Sequence, residues 1–159
     1  MTTIKLKGIG INQFGGVETE GNLTTYRATL KTDATGAAVN ANSTAALAIG
    51  DKVVLNTLPA GMLLEDAQLI VSTAMTALVT GSLGFEYTDG VDSATVPQDA
   101  AYFGAGLTLN AAGRVRTASS KVPVVLAKTA NLVLTIAGAA NAQVSRVDVI
   151  VHGERFGVA

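Results

Sequence analysis

From Leu64 to Thr73 apolar and polar positions alternate: Ala67, Leu69 and Val71 fall on one face, Asp66, Gln68 and Ser72 on the other. Ile70 is the one break on the polar side. A period of two predicts a half-buried strand. Ahead of it, Asp51–Thr57 reads as a short strand, and Pro59-Ala-Gly61 as the turn between the two. Proline presets φ there and glycine supplies freedom at the end. The same grammar continues downstream. Gly81–Thr88 puts Leu83, Phe85 and Tyr87 on one face and runs into the turn signal Asp89-Gly90. Val122–Leu126, Leu132–Ile136 and Val144–His152 follow, the last with Val147, Val149 and Val151 inward and Arg146, Asp148 and His152 outward. Ser93–Arg116 is long and mixed, and Asp99–Phe103 is expected to hold one or two helical turns.

Residues 1–50 read differently. Ile4–Ile11 alternates weakly, and Leu23–Lys31 suggests a strand with Tyr26, Ala28 and Leu30 on one face. Asp33–Gly50 is rich in Ala, Thr, Asn and Ser, a composition that buries too little apolar surface to fold alone. The expected organisation is therefore an N-terminal arm over 1–50, ordered by a partner, and a body over 51–159. Strands at this spacing, without a sustained helical period, predict an all-β fold: an antiparallel, jelly-roll-like β-sandwich with an extended N-terminal arm.

Composition narrows the function. Of 159 residues, 48% are hydrophobic, 4% aromatic and 14% charged, against about 25% charged in an ordinary soluble domain. A mean hydropathy of +0.40 then points to surface buried against other chains. No uncharged run reaches the about 20 mainly apolar residues of a membrane helix, so no membrane is expected. A net charge of −1 gives no general attraction to nucleic acid. The absence of cysteine excludes disulfides and thiolate metal sites and leaves the redox compartment open. Met1–Lys7 is not followed by the apolar core of a signal peptide, so synthesis in a cytoplasm is expected.

Candidate chemistry is sparse. His152 lies on the outer face of its strand, and Asp148 is about 13 Å away along that strand, too far for a catalytic pair. Glu86, Asp89, Asp92 and Asp99 crowd a short span, but without calcium-loop spacing, and an ordinary Asp-Gly turn is the simpler reading. Gly81-Ser-Leu-Gly84 and Gly104-Ala-Gly106 lack the Lys-Ser/Thr of a phosphate loop and suit bulges or close backbone approach. No catalytic, metal or cofactor residue is assigned, and no enzyme is expected. Charge layout is the stronger signal. Six acids (Glu65, Asp66, Glu86, Asp89, Asp92, Asp99) and no base lie between Val53 and Gly113. Five bases (Arg114, Arg116, Lys121, Lys128, Arg146) and no acid lie between Ala100 and Val147. These segments either neutralise each other within the domain or form complementary edges between copies.

Asp51–Ala74 with its Leu-Pro-Ala-Gly turn, Gly84-Phe-Glu-Tyr-Thr-Asp-Gly-Val-Asp92, Val96–Phe103 and Val147-Asp-Val-Ile-Val-His-Gly-Glu154 together resemble small virion proteins of tailed bacteriophages. The resemblance spans about Asp51–Gly157 and is to capsid decoration (cement) proteins. It implies a structural role on the exterior of a phage capsid, with the major capsid protein and further copies of the chain as partners, a trimer over a dimer. Tail, neck or fibre-associated virion proteins and a carbohydrate-binding module are the alternatives. Candidate partner-contact residues are Ile4, Leu6, Ile9, Tyr26, Arg27, Asp89, Asp92, Arg114 and Arg116.

Overall fold

The computed structural model describes residues 2–6, 23–117 and 119–156. Ten strands form two facing sheets: β1 (Thr3–Lys5), β2 (Leu23–Thr32), β3 (Lys52–Leu58), β4 (Met62–Thr73), β5 (Thr80–Tyr87), β6 (Asp99–Thr108), β7 (Gly113–Arg116), β8 (Val124–Val125), β9 (Ala130–Ala137) and β10 (Ser145–Arg155). One sheet has the order β1-β3-β9-β5-β6, the other β2-β10-β4-β7, with β8 pairing β4 beyond β7. All pairings are antiparallel except β1 on β3. This is the expected all-β, jelly-roll-like sandwich.

The alternation read from sequence closes the core. Ala67, Leu69 and Val71 of β4, Val147, Val149 and Val151 of β10, and Leu83, Phe85 and Tyr87 of β5 are all buried. Aromatic rings stack edge-on through the middle, with centroids 5.8 Å apart for Phe85–Tyr87, 5.5 Å for Phe85–Tyr102 and 4.9 Å for Tyr102–Phe103. With so few aromatics, this chain of rings supplies the bulk that the small β-branched residues lack.

Two expectations are corrected. Asp99–Phe103 is strand, because β6 pairs with β5 and inserts Tyr102 and Phe103 into the core. Residues 23–50 are not an arm outside the body. β2 pairs with β10 over ten consecutive residues without a register shift, burying Tyr26, Ala28 and Leu30. The segment after β2 folds back on an Asx turn, in which Asp33 Oδ1 accepts from the main-chain N–H of Thr35 and Ala37, and drops Leu47 into the core. β1 is tied on as well, Ile4 being buried and Thr2 N–H donating to the Asp51 carboxylate. Residues 7–22, the remainder of the expected arm, lie outside the described residues.

At one end of the sandwich Asn141 holds three loops. Its amide nitrogen donates to Thr32 Oγ1 (3.0 Å) and the Gln143 carbonyl (2.9 Å), and its Oδ1 accepts from Thr76 N–H (3.1 Å) and Thr76 Oγ1 (3.2 Å). Its own N–H donates to the Leu47 carbonyl.

The sheet edges are unequal. β1 is three residues long and β7 four. β6 carries register irregularities against β5 and has Gly106 at φ +64°. β2 alone is long and regular, its outer edge met only at one end, where Val39 N–H donates to the Lys31 carbonyl.

Candidate functional site

The outer face of the β2-β10-β4-β7 sheet collects the cations that are dispersed in sequence. Register sets them in rows: Lys31 beside Arg146; Thr29, Asp148, Ile70 and Arg114; Arg27, Ile150, Gln68 and Arg116; Thr25, His152 and Asp66. Asp148 is buried beneath this layer and receives a fork from Arg146 (Nε to Oδ2, 3.0 Å) and the Thr29 hydroxyl (2.6 Å), with Arg27 Nη2 at 3.9 Å. Burial alone would raise its carboxyl. The Arg146 and Thr29 hydrogen bonds and the nearby guanidinium charges outweigh that and hold it below the ordinary value. Arg116 pairs with Asp66 across the strands, and Arg114 Nη1 donates to Gln68 Oε1 at 2.9 Å.

The carboxylates of residues 86–99 behave differently. Lys52 meets Glu86, Lys128 meets Asp89 at 2.9 Å, and Lys121 meets Asp99 at 3.1 Å. Asp92 Oδ1 instead accepts from the N–H of Ser93 and Gln98, closing the β5–β6 loop. Each carboxylate faces its own partner, and among the described residues no three His, Cys, Asp or Glu side chains gather as a metal site. Of the acidic and basic segments seen in sequence, Asp66, Asp89 and Asp99 thus pair with Arg116, Lys128 and Lys121 within the domain. His152 Nδ1 lies 3.2 Å from Thr25 Oγ1, a cross-strand neighbour on the exposed sheet.

A cleft of about 290 Å³ lies beside β6, lined by Phe85, Val96, Pro97, Tyr102, Val122 and Val124, with the Lys121–Asp99 pair at its margin. The tyrosines near it are committed elsewhere. Tyr102 Oη donates to the carbonyls of Val122 (2.8 Å) and Leu64 (3.2 Å), and Tyr87 Oη to that of Val96 (2.6 Å). Their rings pack edge-on in the core and offer no open face for a sugar to stack on. Gly84 is a close-approach site, since a Cβ there would meet the Asp99 carbonyl oxygen at 2.1 Å.

The candidate partner-contact residues separate into groups. Ile4 and Tyr26 lie in the core, so their assignment as surface contacts is corrected. Leu6 is partly buried against that core, and Ile9 lies outside the described residues. Arg27, Arg114 and Arg116 share the outer sheet face, whereas Asp89 and Asp92 lie in the loop between β5 and β6. Arg27 and Arg114 come onto one face because β10 and β4 join their strands, which sequence spacing alone does not reveal.

No protein-family model and no curated protein matches the chain. Among solved structures it is similar to a chain from the capsid of Ralstonia phage GP4, at 18% identity and TM-score 0.67 over 99% of each chain. It is also similar to a chain from the capsid asymmetric unit of cyanophage Pam1, at 13% identity and TM-score 0.57, over 88% of this chain and 89% of that one. At these identities what is shared is the fold.

Proposed function

We propose that the chain is a structural virion protein of a tailed phage that binds the outer surface of the capsid and stabilises contacts between capsomers. The observation that carries this is the coextensive fold: the similarity to a phage-capsid chain takes in 99% of both polypeptides, so the whole molecule is the shared unit. The motif resemblance to cement proteins supports the decorating role. So does the surface, where Leu23, Ile49, Leu78, Val91, Val122, Val144 and Phe156 are exposed, an apolar load suited to burial on assembly. The partners are the major capsid protein and sister copies, in a trimer, with many weak contacts adding through avidity. The chain acts by binding and not by catalysis.

Absolute quantitation of this chain in purified particles tests the role, together with immunogold labelling of intact heads. Hundreds of copies reached by antibody on the head exterior are expected. A handful of copies at the tail or neck, or labelling only after the heads are opened, would refute the decorating role. Hundreds of copies in particles that contain no other shell-forming protein would make this chain the shell subunit itself.

A further inference from the structure

The outer face of the β2-β10-β4-β7 sheet has more positive charge than its own carboxylates balance. Its four rows hold Arg27, Lys31, Arg114, Arg116 and Arg146 against Asp66 and Asp148, with Glu154 in the row beyond them between Leu23 and Leu63. Both carboxylates are already engaged, Asp66 by Arg116 and Asp148 by Arg146 and Thr29. Arg27 keeps 62% of its side chain exposed and Arg116 68%. In the middle of this charge lie Ile70 and Ile150, half-buried and on neighbouring strands. An aliphatic centre ringed by arginine is the layout of a protein-binding surface, where arginine is enriched and the rim stays polar. No Phe, Tyr or Trp stands among these rows to stack on a base, and the one ring, His152, lies in the last row against Thr25, which argues against single-stranded nucleic acid.

We infer that this sheet face is the docking surface of the protein, and that it receives a carboxylate-rich surface of a different virion polypeptide. Charge complementarity selects that occupant. The acids of this chain between residues 86 and 99 are held by its own lysines or by its own main chain, and among the described acids only Glu65 and Glu154, both on strands of this same sheet, lack a partner, fewer than the cations the face presents. Lys31 and Arg114 have no carboxylate partner among the described residues, and Arg27 reaches Asp148 only at 3.9 Å with most of its side chain exposed, so these are the cations that can pair outward. The assignment rests on the virion role proposed above.

Two measurements on the full-length protein test it. Purified particles are treated with a water-soluble carbodiimide, which joins lysine amines to adjacent carboxylates, and the cross-links are read by mass spectrometry. Lys31 is expected to be joined to an Asp or Glu of another polypeptide. Separately, particles lacking the protein are titrated with wild type, with Lys31→Glu/Arg114→Glu, and with Lys5→Glu/Arg155→Glu, which carries the same charge change off this face. Wild type and the control are expected to bind alike, with affinity falling as salt rises, and the face variant about tenfold or more weaker. Circular dichroism and melting confirm that all three are folded.

Equal binding by the face variant overturns the docking assignment and leaves the virion role standing. Cross-links from Lys31 only to other copies of this chain overturn it in favour of self-association. A shift of duplex DNA that the face variant abolishes overturns it in favour of nucleic acid. Wild-type protein that is absent from particles and does not bind them overturns the virion role and this assignment together.

Discussion

Replacing Asn141 with alanine tests whether one buried amide unites the loops at its end of the sandwich. The side chain is fully buried and makes four hydrogen bonds. Their losses are unequal. Thr32 Oγ1 still meets Ser145 Oγ and the Gln143 carbonyl, and Thr76 Oγ1 still accepts from Ala142 N–H. The Thr76 N–H, which donates to Asn141 Oδ1, is left without that acceptor. Stranding this part-buried donor costs about 1 kcal/mol, the low end of the range for a buried one, and the void and weakened neighbours bring the total to about 2–4 kcal/mol. In a chain of this size that is a melting shift of about 5–15 °C. Urea unfolding followed by circular dichroism reads it, with an unchanged slope expected because the unfolding unit is unchanged. Asn141→Asp sharpens the test. A carboxylate cannot donate to the Gln143 carbonyl, and burial raises its pKa in the folded state. Its deficit relative to wild type is therefore smallest in acid and grows as pH rises above the unfolded value of about 3.9. A loss below about 1 kcal/mol for Asn141→Ala, or a deficit of Asn141→Asp that does not depend on pH, would refute the account.

Three further outcomes are expected. Gly84→Ala drives a Cβ into the Asp99 carbonyl, so β5 and β6 must separate, and a loss of about 3 kcal/mol or more in chemical denaturation is expected; a change under 1 kcal/mol contradicts the close approach. Asp148→Asn lowers stability at neutral pH. Because the folded pKa of Asp148 is depressed, its contribution is present above the unfolded value near 3.8 and is lost as pH falls through the folded one, so wild type and variant converge in acid; parallel stability curves from pH 7 to 2 would contradict this. Deleting residues 1–45 removes β2 with Tyr26, Ala28 and Leu30, and unfolding is expected; a truncated chain with a cooperative melt would show that the sandwich does not need that strand.

Much of the sandwich is visible in period-two alternation. β4, β5, β9 and β10 carry it because each has one face in the core, whereas β3 shows instead as the apolar run Val53-Val54-Leu55. β6 hides because its ladder is irregular, so buried positions fall in a block at Tyr102, Phe103 and Gly104 and not at every second residue. Residues 33–50 hide because small side chains are held by hydrogen bonds to distant loops, above all through Asn141 and Leu47, and composition is silent about such partners. The charged face was half-legible. Ile70 showed as an interruption of the polar side of β4, while Ile150 was masked by the valines around it. Which cations share a surface follows from strand order, so Arg27 and Arg114 fall on one sheet face although they lie far apart in the chain.

The inequality of the sheet edges limits what backbone pairing can build. Linking copies into a run through their strands takes two compatible edges per molecule, one to receive and one to offer. Among the described strands one edge is long and regular, and the others are too short or too irregular to match it. Edge pairing between copies is therefore monovalent: β2 against β2 closes a pair and stops. A chain with such edges is protected at high concentration from growing into fibres by strand pairing. Any larger order must come from side-chain surfaces and from the geometry of whatever it is bound to.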